Sequence, residues 1–533
     1  MSERVPGPSL YTRQATGLVR EIGLSSNVAL NVSFISLPLA GFVATQAPFA
    51  FPGSNHIGIV IITAILCIAP TLLYGMLAQA MPRSGGDYVF ASRIISPLIG
   101  FVANFNITMW FQLVIALFAS YLATLGLSPA LASIGQATGN AGLTDAATTV
   151  AGKDWQFAIG AIVLVLVTIL MSLRLQVAMR IFQIVFYLSL ISIGIAIVLT
   201  MLNAREAFVA AVAKFGGNYN QMIADAKAAG WAGYPANIDW IQTIGATPLL
   251  FASFGYAIVS TYAAGEIRQA KTSILRGLLI SLGISVLIVL VMLGLAGRTF
   301  GEEWMGAANF LALNAPDKYP LPAYPGYLFF STMLTDNSLV IATMSLSYAL
   351  AFIVALPPTF LIATRSLFAW SFDRIIPDKV SEVNERTHSP IVANLVVLGL
   401  TLFVLAVTVF GPGEFLTLLY TAGAAEILTF IVVAIAGILF PFRKRDLWAA
   451  SPISGRTAGA ATISIVGVLA LLVYLLFLYP LLTNTALGAN ATPGLVAVVV
   501  IVVIPFILYP ISYAIHKRNG VDLGLAFQSL PPE

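Results

Sequence analysis

Charge is scarce in this sequence. Only 9% of its 533 residues are Asp, Glu, Lys or Arg, while 59% are hydrophobic; a soluble globular protein is about a quarter charged. The mean hydropathy is +0.93. Such a chain cannot cover a water-facing surface, and its surplus apolar residues need lipid as solvent. A large soluble enzyme, a nucleic-acid binder and a disordered protein are excluded. Cysteine is nearly missing too. Cys67 stands alone, which excludes an internal disulfide and any cysteine-based metal site. The three histidines, His56, His388 and His516, fall at the ends of apolar segments. A haem or copper oxidase with ligands deep in the membrane is therefore not expected. Low-complexity tracts and long charge runs are also lacking. The densest cluster, Arg443-Lys444-Arg445, reads as a topological anchor, with a lipid-headgroup site as the minor alternative.

What the chain does have is long apolar runs. They are continuous over about twenty residues, which points to helical spans rather than the alternating ten-residue strands of a barrel. Twelve segments are expected, at 24–49, 56–81, 95–124, 156–173, 176–202, 240–263, 274–296, 337–366, 390–411, 414–440, 458–480 and 494–516. Most exceed the length needed to cross the hydrocarbon core, so several should be tilted or broken. The first is too long for a signal peptide and lacks a convincing cleavage site. With the N-terminus inside, the great majority of the 26 lysines and arginines fall on the inner side. Lys153, Arg205, Lys214, Lys227, Arg298 and Lys318 are left outside. The positive-inside tendency then predicts a multi-pass cell-membrane protein with both termini in the cytoplasm.

Segments 1–5 and 6–10 form two units of similar length. Five spans per unit is odd, so the units must insert with opposite orientations, the layout of inverted-repeat transporters. The expected organisation is a cytoplasmic N-terminus (1–23), a first five-helix repeat (24–202), an outer loop (203–239), an inverted second repeat (240–440), two further helices (441–516) and a cytoplasmic C-terminus (517–533). Each unit opens with a helix interrupted by small, polar or helix-breaking residues. Segment 1 reads Asn31-Val-Ser33-Phe34-Ile35-Ser36-Leu-Pro38, and segment 6 reads Phe251-Ala252-Ser253-Phe254-Gly255-Tyr256. Pro38 cannot donate a backbone bond, and Gly255 lowers the cost of leaving helical geometry. Irregular backbone at membrane depth is tolerated where it lines a cavity. A half-helix N-terminus there offers N–H groups to an anion, and a C-terminal half offers carbonyls to a cation. An amino acid zwitterion carries both charges.

Three stretches carry a family resemblance. They are Met81-Pro-Arg-Ser-Gly85-Gly86-Asp87-Tyr88-Val-Phe90 running into Pro97-Leu-Ile-Gly100-Phe101, Phe251–Tyr256 followed by Glu266-Ile-Arg268, and Ala363-Thr364-Arg365-Ser366-Leu-Phe368 continuing to Pro377. In combination they resemble the amino acid–polyamine–organocation (APC) superfamily of amino acid permeases, along roughly 15–445. The resemblance implies an all-α membrane protein with twelve transmembrane helices. These form a five-plus-five inverted repeat of leucine-transporter-like fold, plus two C-terminal helices. It also implies a secondary active transporter, a symporter or antiporter working by alternating access. Substrate would lie between broken helices 1 and 6, held by Ser33, Phe34, Ile35 and Ser36 on one side and by Phe251, Ala252, Ser253, Phe254 and Gly255 on the other. Phe251 matches the family position where an aromatic closes over substrate. Asn104, Asn106, Gln112, Tyr420 and Thr421 are further lining candidates, each of which could instead bond a neighbouring helix.

Coupling is less defined. Where many family members carry an acidic residue after the glycine–aromatic step, this chain has Ala257, and the stretch Arg180 to Leu190 offers no lysine. Glu426 lies about twelve residues into segment 10; a carboxylate at that depth must face protein or water. It is a candidate for proton coupling or for a substrate cation, against a structural hydrogen bond. Arg83 and Glu266 are candidates for an inner gate of ion pairs, with Asp87 and Asp373 on the same side; the alternative is solvated surface pairs. Ser345 and Ser347 are weak sodium candidates, since residues two positions apart on a helix cannot face one point.

The expected function is movement of amino acids across the cell membrane. The alternative is a polyamine or other organic-cation transporter of the same fold. No catalytic residue, resident cofactor or nucleic-acid partner is expected; the partners are a small-molecule substrate and the lipid bilayer. A proton or sodium gradient is the candidate driving force. A proton-pumping respiratory subunit would need midplane chains of Lys, Glu and His, and a channel would need a filter repeated by symmetry. Neither is present in the sequence.

Overall fold

The computed structural model describes residues 17–234, 237–411, 414–483, 492–519, 523–527 and 530. It is helical almost throughout; the described strands are one short hairpin, Arg456–Thr457 against Ala460–Ala461. The first apolar segment splits into α1 (Leu24–Ile35) and α2 (Leu37–Ala50). It is followed by α3 (His56–Ala80), a short α4 (Asp87–Ile94) and α5 (Pro97–Tyr121). A π-helical stretch, Leu122–Leu127, continues α5 into α6 (Ser128–Thr138), then come α7 (Ala141–Val150), α8 (Lys153–Ser172) and α9 (Leu175–Leu202).

Two short helices, α10 (Arg205–Lys214) and α11 (Tyr219–Ala228), lead to α12 (Trp240–Gly245) and α13 (Thr247–Phe254). The chain continues through 3-10 turns at Val259–Tyr262 and Ala264–Glu266 into α14 (Ala270–Thr299) and α15 (Glu302–Asn314). The remainder is α16 (Tyr327–Thr332), α17 (Ser338–Phe372), α18 (Ile391–Phe410), α19 (Glu414–Arg443), α20 (Arg445–Ala449), α21 (Thr462–Thr483), α22 (Thr492–Arg518) and α23 (Leu523–Ala526).

Local chemistry sets the helix starts. Asn55 accepts from the Gly58 N–H at 2.7 Å, Ser96 from Ile99, and Asn337 from Leu339 and Val340. These side chains satisfy N–H groups that have no intrahelical acceptor. Eleven helices among the described residues are long and apolar enough to cross a membrane. The expected span at 240–263 is missing from that set because it is not one helix. It is α12, α13 and a 3-10 turn, each too short alone. The exposed side chains of the long helices are largely Leu, Ile, Val and Phe, including Ile65, Ile162, Leu287, Phe403 and Val499. That is the surface of an all-α protein in lipid.

The core lies where α1, α3, α5, α13, α17 and α19 converge. It is rich in aromatic rings: Phe34 meets Phe111 and Tyr256, and Phe430 stacks on Tyr474. The close approach of α1 to α14 depends on Gly277. A Cβ there would stand 2.2 Å from the Asn27 amide nitrogen, so any side chain would displace the Asn27 amide.

Candidate functional site

The first interruption falls at Ser36. Its φ of 48° and ψ of 75° put it in the left-handed region, an uncommon conformation for a residue other than glycine. Its N–H turns back to the Ser33 carbonyl at 3.2 Å. Pro38 is not the break itself. It occupies the first turn of α2, where its missing N–H costs nothing. Ser33, Phe34, Ile35 and Ser36 are all buried, and the Ser33 hydroxyl is without a hydrogen-bond partner. Beside them is a small open crevice lined by Ser33, Ser36, Pro38, Phe186, Ser189 and Ala351 among others.

The second interruption follows α13. Gly255 was expected to leave helical geometry, but it keeps helical angles and bonds back to the Phe251 carbonyl. The α-helix ends at Phe254 with Gly255 as its cap, and from Tyr256 onward the N–H groups reach back three residues instead of four, to Ser253 and Phe254. Gly255 matters for space instead, because a Cβ would lie 2.4 Å from the Phe251 ring. That ring is buried against Phe477 at 4.4 Å and Phe430 at 5.8 Å. Ser253 and Phe254 are buried, while Ala252 is exposed.

The two interrupted segments meet. The Phe34 and Tyr256 rings are 4.7 Å apart, edge to face. Asn31 accepts from the Ser260 N–H at 3.0 Å and donates to the Ser260 hydroxyl at 3.1 Å. Asn27 extends the line, donating to the Ser273 carbonyl at the start of α14. Tyr256 also donates its hydroxyl to Glu426 of α19 and accepts from the Trp110 indole at 2.9 Å. Glu426 is thus buried in a polar chain ending on aromatic residues, with no cation among its described partners.

At the end of the bundle that carries most arginines, two ion pairs are buried. Arg93 holds Asp373 through two bonds of 2.6 and 2.8 Å, and Tyr88 donates to the same carboxylate at 2.6 Å. Arg365 holds Glu266 through bonds of 2.6 and 2.7 Å. The gate candidate Glu266 therefore gives both oxygens to Arg365. Arg83 is half-buried, with its described hydrogen bond to the Pro82 carbonyl. Such pairs, taken from water, differ from the solvated surface pairs of the alternative reading. Between them, Asp87 accepts from Asn104 at 3.1 Å, and Asn104 accepts from the Trp370 indole at 2.7 Å. Burial pushes the Asp87 carboxyl up to about 7, against the opposing effect of Tyr262 and Asn104 beside it.

At the opposite end, His56 lies 3.8 Å from Glu302. Hydrogen bonding to His56, with help from Tyr234, holds the Glu302 carboxyl below its usual range despite partial burial. Ser345 and Ser347 are not brought together. Ser345 lines an apolar crevice with Pro129, Leu328 and Phe329. Ser347 is spent on α9, donating to the Leu188 carbonyl and accepting from the Ser192 N–H. Asn104 and Gln112 are likewise engaged, Gln112 with Thr401 at 2.5 Å, and Asn106 is buried. Tyr420 and Thr421 lie outside the residues whose side chains are described.

Sequence reasoning missed Tyr256 and Trp110 as the partners of Glu426, Arg365 as the partner of Glu266, and Asn31 as the tie between the breaks. Arg365 and Tyr256 stand inside the quoted motifs, so their positions were visible though their partners were not. A polar Asn31 within an apolar run was the remaining signal.

The bundle is that of a multi-pass membrane protein whose centre is built on interrupted helices. The chain belongs to the amino acid permease family of the APC superfamily, whose model matches residues 22–506. It is a transporter rather than an enzyme, and its substrate is a small molecule moved within a lipid bilayer. No match was found among curated proteins.

Proposed function

We propose that this permease is a secondary active transporter that carries an amino acid by alternating access. The substrate site is the junction of the two interrupted segments. The observation that carries this reading is the meeting of α1 with the second interruption through Phe34–Tyr256 and Asn31–Ser260. The backbone beyond Ser36, with the buried Ser33 hydroxyl, takes the carboxylate. Carbonyls at the end of α13, from Phe251 to Gly255, take the ammonium. Tyr256 and Phe34 form the aromatic wall, and Phe251 shifts from its packing on Phe477 to close over the substrate.

The remaining parts follow from that site. The two interrupted segments open two five-helix units of opposite orientation, 24–202 and 240–440, followed by two further helices. The arginine-rich end faces the cytoplasm, and both termini lie there. The Arg93–Asp373 and Arg365–Glu266 pairs are the inner gate, with Arg83 at its rim. Glu426 is the coupling carboxylate and takes up a proton during the cycle. A polyamine substrate is the less favoured reading, because Glu426 is already occupied by Tyr256.

The test is uptake into proteoliposomes of a panel of amino acids, under proton and sodium gradients imposed separately. Uptake or exchange of at least one amino acid, raised by the proton gradient, is expected. Robust polyamine flux with no amino acid uptake or exchange would overturn the proposal.

A further inference from the structure

Asp87 is fully buried, and its two oxygens are unequally held. Oδ1 accepts from Asn104, while Oδ2 has no hydrogen bond of ordinary geometry. An ionised carboxylate so placed carries the cost of a buried charge, which Asn104, Tyr262 and the N–H groups of Asp87 and Tyr88 offset only in part. Two tyrosine hydroxyls share the space. Tyr262, from the Val259–Tyr262 turn, is within electrostatic reach of Asp87, and so is Tyr74 of α3. Both hydroxyls are buried and without a hydrogen bond of ordinary geometry.

The charged groups on the elements packed around α4 are otherwise engaged. On α17, Arg365 is held by Glu266 and Asp373 by Arg93; on α19, Glu426 is held by Tyr256. On α4 itself, Arg93 serves Asp373 and Tyr88 donates to it. Arg443 of α19 donates to the Ile95 carbonyl and Arg83, just before α4, to the Pro82 carbonyl; no described ion pair includes Asp87.

The lid over this carboxyl belongs to the second interrupted segment. Gly85 donates to the Tyr262 carbonyl at 2.9 Å, and the Tyr262 ring lies flush on Gly86. Displacement of the Val259–Tyr262 turn would therefore uncover Asp87, and seating of the turn buries it again.

We propose that Asp87 is a second proton site, neutral while the Val259–Tyr262 turn is seated on Gly85-Gly86 and ionised when that turn moves away. The proton leaves the Asp87 carboxyl for water admitted at the arginine-rich end, and the same oxygen takes a proton back before the turn reseats. No other bond changes. This site is separate from Glu426, and its role in transport rests on the alternating-access reading above. The placement of its carboxyl near neutrality agrees with that role.

Two measurements test it, and the first needs no substrate. Purified full-length protein, isotope-labelled at aspartate carboxyl carbons, is titrated by infrared spectroscopy, which separates Asp from Glu426. A protonated aspartate band is expected at about pH 6, lost toward about pH 8 and missing from Asp87→Asn. Lack of any such band in the labelled wild-type protein overturns the proposal, whether or not the variant folds. The second is amino acid exchange in proteoliposomes with the pH at the arginine-rich end varied. Exchange by the wild type should fall about tenfold between about pH 8 and about pH 6, while Asp87→Asn stays at the acid level throughout. An Asp87→Asn protein that keeps the wild-type pH slope also overturns it. An aspartate band without any amino acid transport leaves the proton site standing and defeats the transport reading instead.

Discussion

Arg93 and Asp373, 280 residues apart in sequence, form a two-bond ion pair in which both side chains are almost fully buried. Phe527 lies over the same guanidinium, 4.9 Å from its carbon to the ring centre. The pair fastens α4 to the end of α17. A buried pair is costly to break from one side, because the survivor keeps its charge without a partner. Arg93→Ala and Asp373→Ala should each lose about 3–5 kcal/mol of stability. The double variant should lose clearly less than the two added together. Thermal unfolding in detergent, set out as a double-mutant cycle, checks this.

Asn31 bonds Ser260 twice, across the two interrupted segments. Asn31→Ala leaves the buried Ser260 N–H and hydroxyl unsatisfied, at a cost of about 1–3 kcal/mol. The larger expected effect is on function. Uptake should fall more than expression or folding does, because the two segments no longer move together. Uptake normalised to folded protein in proteoliposomes is the measurement.

Glu426→Gln keeps an oxygen for the Tyr256 hydroxyl, so the fold should survive with little change in melting temperature. If the carboxyl is the coupling group, proton-driven accumulation should disappear while exchange without a gradient remains. Uptake across a range of external pH separates the two; a variant with the wild-type pH profile would assign Glu426 a structural role.

Gly86 has φ of 51° and ψ of −126°, a region essentially limited to glycine. An added Cβ would also stand 2.8 Å from the Tyr262 ring. Gly86→Ala should therefore destabilise the protein by about 1–3 kcal/mol from backbone strain alone. It should also displace the turn seated above it, seen as faster hydrogen exchange of peptides spanning 256–268.

Asp87 gives stability a pH dependence of definite sign. Its carboxyl keeps a proton up to about pH 7 in the folded protein, whereas in an unfolded chain it ionises near pH 4. Between those values the folded state binds more protons, so stability falls as pH rises and levels off above about 7. Asp87→Asn should remove that slope. Melting temperature in detergent between about pH 5 and about pH 8 is the readout.

Much of the architecture was legible in the apolar runs, because lipid leaves a helix no choice about its backbone bonds. The two interruptions were legible as regions, through Ser33, Ser36 and Pro38 in one and Gly255 in the other. Their atomic form was not. The first break is made by a left-handed Ser36 with Pro38 in the turn that follows, and α13 closes at Gly255, which keeps helical angles and makes room for Phe251. Pairings were out of reach for a different reason. Tyr88 and Asp373 are 285 residues apart and Glu266 and Arg365 are 99 apart, and one sequence carries no distances. Glu426 stood out as a carboxylate too deep to be solvated. Its partner Tyr256 did not, since an aromatic in a membrane helix has many ordinary uses.

The central claim is that the interrupted backbone binds both charged ends of an amino acid. Competition against labelled amino acid uptake in proteoliposomes tests it most directly, using the same amino acid as its methyl ester and as its N-acetyl derivative. Neither derivative should compete, because each lacks one of the two charges. Competition by the ester equal to that of the free amino acid would contradict the claim.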